Sequence, residues 1–189
     1  MDDLLRQVPR KHFLPREVRD RAAEDAPVPI GHGQTNSQPS TVRRMLELLE
    51  VRAGDRVLDV GCGSGWTTAL LHRLAGPGGR VLAVERVPEL VAEARRNTAG
   101  YGLGADCILQ AEPGVLGVPG EAPFDRILVS AMAGRAPSEL FSQLAPGGVL
   151  VGPWNGMMHR VRRLGSRQGA PLDLEITTHG RYSFVPLIE

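Results

Sequence analysis

The residues best placed to do chemistry lie between positions 59 and 85. Asp59-Val60-Gly61-Cys62-Gly63-Ser64-Gly65-Trp66 sets an acid ahead of a glycine at every second position. Glycine at 61, 63 and 65 lets the backbone turn tightly and lets a ligand approach without side-chain clash. A dinucleotide fingerprint, GxGxxG, needs glycine at 66, where Trp66 stands. An acid followed by GxGxG is instead the form associated with S-adenosylmethionine (AdoMet). That ligand has no pyrophosphate to cradle, but it carries an ammonium group with which Asp59 can pair. Glu85 follows twenty residues after Gly65, and a carboxylate there can accept both ribose hydroxyls. Taken alone, Asp59 reads as a strand-end turn residue and Glu85 as a neighbour of a helix N-cap. Together, in a strand-helix-strand pattern, they predict an adenosyl-type ligand held by Asp59, Gly61, Gly63, Ser64, Gly65 and Glu85. Cys62 reads as a small filler of the loop, because no histidine stands near it to activate its thiol.

A loop of this kind needs a strand before it and a helix after it, and the pattern supplies both. Residues 41–49 place Val42, Met45, Leu46, Leu48 and Leu49 at helical spacing, entered through Pro39. Residues 56–60 read as a buried strand, 67–74 as a helix broken by Gly76-Pro77-Gly78-Gly79, and 81–84 as a second strand. A helix over 88–97, strands at 106–110 and 126–130, a helix over 137–144 and a strand at 149–151 follow. Such alternation means a parallel sheet with helices on both faces. The expected fold is therefore α/β, a doubly wound sandwich forming a single domain over 1–189. Its ligand-binding core is expected at 41–155, antiparallel C-terminal strands at 156–189, and a lid rich in Pro and Gly at 1–40. Trp154 and Met157-Met158 are expected in a flexible surface loop and His32 in another. Arg160, Arg162 and Arg163 are expected on a solvated strand face.

Composition sets further bounds. The 189 residues are 42% hydrophobic and 23% charged, ordinary for one domain or at most two small ones. Lys+Arg is 22 against Asp+Glu 21, a formal charge of +1, whereas neutralising nucleic-acid phosphates takes a clustered positive excess. Two cysteines, Cys62 and Cys107, cannot build a disulfide framework. The five histidines never fall at ligand spacing, so no metal site is expected. The N-terminus lacks the apolar core of a signal peptide, and no apolar run approaches the ~20 residues that span a bilayer. These readings predict a cytoplasmic monomer with neither nucleic acid nor membrane as partner.

The most informative stretch is Pro29-Ile30-Gly31-His32-Gly33-Gln34-Thr35-Asn36-Ser37-Gln38-Pro39. It resembles the PIGxGQTxSQP signature of the protein-L-isoaspartate O-methyltransferases. Val8-Pro9-Arg10-Lys11-His12-Phe13-Leu14-Pro15, Ala122-Pro123-Phe124-Asp125-Arg126-Ile127 and Phe184-Val185-Pro186-Leu187 resemble three more of that family's motifs, in the same order. The resemblance implies a Rossmann-like, AdoMet-dependent methyltransferase fold, with AdoMet as cofactor. It also implies methyl transfer to the α-carboxylate of an isoaspartyl residue in a peptide or protein. That nucleophile is already ionised near neutral pH, so no general base is required. Ser37 with Thr35 would orient it by hydrogen bonding, with Gln38, Ser130 and Ala131 around the acceptor and segment 29–39 as a lid. Open alternatives are a helix N-cap for Ser37, core packing for Ser130 and Ala131, and either lining the adenosyl pocket or packing the first helix for Trp66.

Four departures from the family pattern stand out. Glu112 and Pro113 occupy the place of a GDGxxGxP element, leaving Glu112 one residue out of register as the adenine-side acid. A tyrosine is lost within 22–31, Asn36 replaces a usually apolar residue, and most of the leading helix is missing. Two other functions therefore compete: a non-catalytic isoaspartyl-peptide-binding homologue, and a methyltransferase for a small-molecule carboxylate.

Overall fold

The computed structural model describes residues 1–165 and 172–188. Helix α1 (Asp2–Gln7) and two 3-10 segments lead into an antiparallel hairpin, β1 (Val28–Gly31) with β2 (Gln34–Asn36). Then come α2 (Pro39–Leu49), β3 (Arg56–Val60), α3 (Trp66–Ala75), β4 (Arg80–Glu85), α4 (Pro88–Ala99) and β5 (Ile108–Gln110). The chain ends with β6 (Phe124–Val129), α5 (Ser138–Phe141), β7 (Leu144–Trp154), β8 (Met157–Gly165) and β9 (Asp173–Arg181).

Seven strands form one sheet in the order β5-β4-β3-β6-β7-β8-β9. Pairing is parallel from β5 to β7 and antiparallel through β8 and β9. The chain builds outward from β3 to β5, then returns to the other side of β3 at β6. That reversal opens a crevice beyond the carboxyl ends of β3 and β6, where open α/β sheets bind ligands.

Central strands are apolar on both faces, as a sheet covered on both sides requires. Val57 and Leu128 pack with buried residues of α2 and α3, while Leu58, Val60, Ile127 and Val129 join Leu140 and Phe141 of α5. Ala83 and Ile108 meet Val91 and Ala94 of α4. The cover is uneven: α5 has only four residues, and Leu116, Val118 and Ala122 from loops help complete its side.

Three expectations need correction. The helix expected over 137–144 stops at Phe141, and Leu144 already pairs with Phe124 at the start of β7. Gly148 belongs to that strand, so close to the Asp125 and Phe124 carbonyls that a Cβ would lie 3.1 Å from each. Trp154 and Met158 are core residues, 6% and 0% exposed, and Trp154 stacks on His159 with ring centres 3.6 Å apart. The turn between β7 and β8 is only Asn155-Gly156, both with positive φ, the pair that two-residue hairpins favour. Arg160 and Arg163 donate to the carbonyls of Leu48 and Leu144, leaving Arg162 as the solvated member of that run. His32 is exposed, as expected.

Candidate active site

A cavity of about 390 Å³ opens at the crevice, and a recess of about 30 Å³ adjoins it. The structure brings Thr35, Gly61, Gly63, Glu85, Glu112, Ser130 and Ala131 to the cavity lining. Thr35, Gly61, Gly63 and Ser130 also border the recess, where Ser37 and Ser64 join them. Asp59, Gly65 and Gln38 line neither space.

Glu85 ends β4 and faces the glycine loop. Its Oε2 accepts the Gly63 N–H at 2.9 Å, and its Oε1 accepts the amides of Arg86 and Val87 at 2.7 and 3.0 Å. A carboxylate has about four acceptor positions, so it is fixed in place and still able to accept a hydroxyl. Gly63 meets the hairpin above it, where a Cβ would lie 3.2 Å from Ile30 Cδ1.

The two remaining glycine-loop predictions acquire different roles. Asp59 is fully buried, its Oδ2 accepting the Thr67 and Thr68 hydroxyls, each at 2.7 Å, while Oδ1 has no partner. Burial pushes its carboxyl up to about 6; the threonine bonds oppose this and the Glu85 charge adds to it. Asp59 thus braces the first turn of α3 from below. Gly65, at φ +93°, is dictated by helix packing: a Cβ would lie 2.8 Å from Thr98 Cγ2 and 3.3 Å from Ala94. Burial likewise pushes the Cys62 thiol well up, with Asp59 and Glu85 adding to the effect, which disfavours the thiolate.

Two cavity walls come from residues that sequence reasoning passes over. Gln143, 3% exposed, accepts the Val118 N–H (2.9 Å) and donates to the Leu116 carbonyl (2.8 Å). This pins the turn at Gly117, where a Cβ would lie 2.5 Å from Gln143 Oε1. The C-terminal segment returns from β9 to the site and brings Val185, Pro186, Leu187 and Ile188 to the lining. Met132 holds it there, donating to the Val185 carbonyl and accepting from the Leu187 amide, both at 2.8 Å. The signal was the Phe184-Val185-Pro186-Leu187 motif, which reveals kinship but not location. Pro113 lines the cavity beside Glu112, supplying neither an N–H nor a carboxylate, and Glu112 is exposed.

The N-cap alternative for Ser37 is removed by Asp25. Its Oδ1 accepts the Ser40 amide at 2.9 Å and its Oδ2 accepts Gln38 Nε2 at 3.1 Å, holding its carboxyl below the usual range. Gln38 therefore ties α2 to the preceding segment instead of lining the site. Trp66 packs in the core with its indole N–H on the Val8 carbonyl, and it borders the recess rather than the larger cavity. Ser130 Oγ, where cavity and recess meet, is buried without a hydrogen-bond partner.

These features fit an adenosyl cofactor: glycines where a backbone must approach, a fixed carboxylate at the end of the second core strand, and an orphaned hydroxyl at the junction. Residues 1–189 match the family described as Protein-L-isoaspartate(D-aspartate) O-methyltransferase (PCMT). The chain belongs to this family. It is 50% identical over 151 residues to a protein-L-isoaspartate O-methyltransferase of Aeropyrum pernix, covering 80% of this chain and 58% of that protein. It is 44% identical over 182 residues to one of Methanopyrus kandleri, covering 96% of this chain and 80% of the other. A solved Plasmodium falciparum structure, described as a protein-L-isoaspartate O-methyltransferase in complex with S-adenosyl-L-homocysteine, shares the fold. Its TM-score is 0.79 at 24% identity, covering 98% of this chain and 88% of that one.

Proposed function

We propose that this protein transfers the methyl group of AdoMet to the α-carboxylate of L-isoaspartyl residues in peptides or proteins. Its relatives carry that activity in their names, and their cofactor fits the cavity described above. The observation that carries the reading is the recess bordered by Thr35 and Ser37, which joins the cofactor cavity at Gly61 and Ser130. Bound AdoMet supplies an electrophilic methyl group. Glu85 would accept a ribose hydroxyl, the Gly61 and Gly63 backbone would carry the amino-acid end, and Glu112 would stand at the adenine side.

The chain's own contribution is orientation. An isoaspartyl carboxylate, with a reference pKa of about 3.5–4, arrives ionised. No histidine is among the described residues that line the cavity or the recess, and none is needed. Hydroxyls at Thr35, Ser37 and Ser130 can donate to the carboxylate and fix its direction without neutralising it. Holding reactants in line is worth a large share of a barrier. Ile30 and Val185 to Ile188 wall the site with apolar surface, which limits water as opposite charges meet. Support for a cytoplasmic setting comes from the two free cysteines, Cys62 and Cys107; the same reading has the chain acting as a monomer.

Ser37→Ala tests the assignment of roles. It should lower turnover on an isoaspartyl peptide by at least tenfold while AdoMet affinity, measured by calorimetry, stays within twofold. A comparable loss of AdoMet binding would refute the orienting role.

A further inference from the structure

We propose that Arg10 and Asn36 are a positioning pair that sets the geometry of the acceptor recess and, through it, of Thr35 and Ser37; this rests on the carboxyl methyltransferase reading above. Asn36 stands between the two hydroxyl residues, and all three border the recess. Arg10 reaches it from 26 residues earlier and is only 5% exposed. Its Nε donates to Asn36 Oδ1 at 2.8 Å and its Nη2 to the Asn36 carbonyl at 3.0 Å, so one guanidinium grips both side chain and main chain. The same group donates to the carbonyls of Glu24 (2.9 Å) and Ala26 (2.8 Å) and lies 5.6 Å from the centre of the Trp66 ring. On its other side, Asn36 Nδ2 donates to Ser64 Oγ at 3.3 Å, in the glycine loop.

Asn36 thus spans the recess from the hairpin that carries the hydroxyls to the loop that carries the glycines. Adjacent Cα atoms are about 3.8 Å apart, so fixing residue 36 leaves Thr35 and Ser37 little room to wander. A misplacement of about 1 Å at reacting groups can cost on the order of 100-fold in rate. The glycine loop has supports of its own, since Gly63 donates to Glu85 and Asn97 donates to the Ser64 carbonyl. Loosening the pair should therefore damage turnover and spare cofactor binding.

Three variants test this. Asn36→Leu removes the side-chain grip but leaves Arg10 its three carbonyl acceptors, so the fold should survive. Arg10→Lys keeps the charge but loses the planar fork that reaches several acceptors at once. Asn36→Asp keeps an acceptor for Arg10. On an isoaspartyl peptide, kcat should fall at least tenfold in the first two, with KM for AdoMet within threefold, and Asn36→Asp should retain at least half of wild-type kcat. Amides at 34–37 should exchange hydrogen faster in the first two variants while those of α3 keep wild-type protection. Wild-type kcat in both variants, or a parallel loss of AdoMet binding, overturns the positioning role and leaves the proposed activity standing. Absence of transfer by the wild-type protein overturns the activity instead, and unchanged exchange at 34–37 then overturns the pair.

Discussion

Replacing Asp59 by Asn probes the brace beneath the glycine loop. Asp59 is completely buried, with both threonine bonds on one oxygen and none on the other. Burial, the largest cause, raises its carboxyl from 3.8 to about 6. With the folded pKa raised, the folded state keeps a proton that the unfolded chain has already lost. This contribution to stability is therefore fully present below pH 4 and is lost as pH rises through 6. A displacement of about 2 pH units at about 1.4 kcal/mol each gives about 3 kcal/mol. Asparagine cannot ionise and can accept the same threonine bonds through its own oxygen. Its amide nitrogen then sits where no partner exists, at a cost of about 1–3 kcal/mol. The two effects nearly cancel at pH 7, so the slope is diagnostic rather than the absolute value. Urea unfolding at intervals from pH 3 to 8 should show the wild type losing about 3 kcal/mol relative to Asp59→Asn over that range, about 2 kcal/mol of it between pH 4 and 6. Parallel stability curves would refute the assignment of a raised carboxyl at this position.

Gly65→Ala should cost about 2–5 kcal/mol in urea unfolding, combining left-handed backbone strain with crowding against Thr98 and Ala94. Thr98→Ser should recover part of that loss; lost AdoMet binding at unchanged stability would instead place Gly65 against the ligand. Glu85→Ala should raise the AdoMet dissociation constant at least tenfold, the worth of about one charged hydrogen bond, and an unaltered constant by calorimetry would remove it from the ribose site. Gln143→Leu strands the Val118 amide and the Leu116 carbonyl, which should cost about 2–4 kcal/mol and raise the AdoMet KM several-fold. Normal KM and stability in that variant would mean that Gln143 does not shape the wall.

The parallel core was readable because the apolar runs of β3, β4 and β6 each begin just after a glycine or proline, as buried parallel strands do. Glu85 was readable for a related reason: the end of the second strand in such a fold has a fixed place. What escapes a linear reading depends on contacts between distant residues. Gln143 serves a turn at 116–118, and Arg10 reaches Asn36 across 26 positions. The bracing role of Asp59 was hidden because the first turn of α3, with Thr67 and Thr68, comes back to it only in the folded chain. Gly65 satisfies a ligand motif and a helix contact at once, and spacing alone does not tell them apart. The Asn155-Gly156 turn lies in the sequence itself, and it marks Trp154 and Met158 as strand residues that a reading of the segment as an exposed loop misses.

Carboxyl methylation directed to isoaspartate can be measured with two peptides of identical sequence, one containing L-isoaspartate and one normal aspartate. Each is mixed with the protein and methyl-labelled AdoMet. Label should appear on the isoaspartyl peptide alone and be released by mild base, as expected of a methyl ester. Equal labelling of both peptides, or AdoMet binding with label on neither, would contradict it.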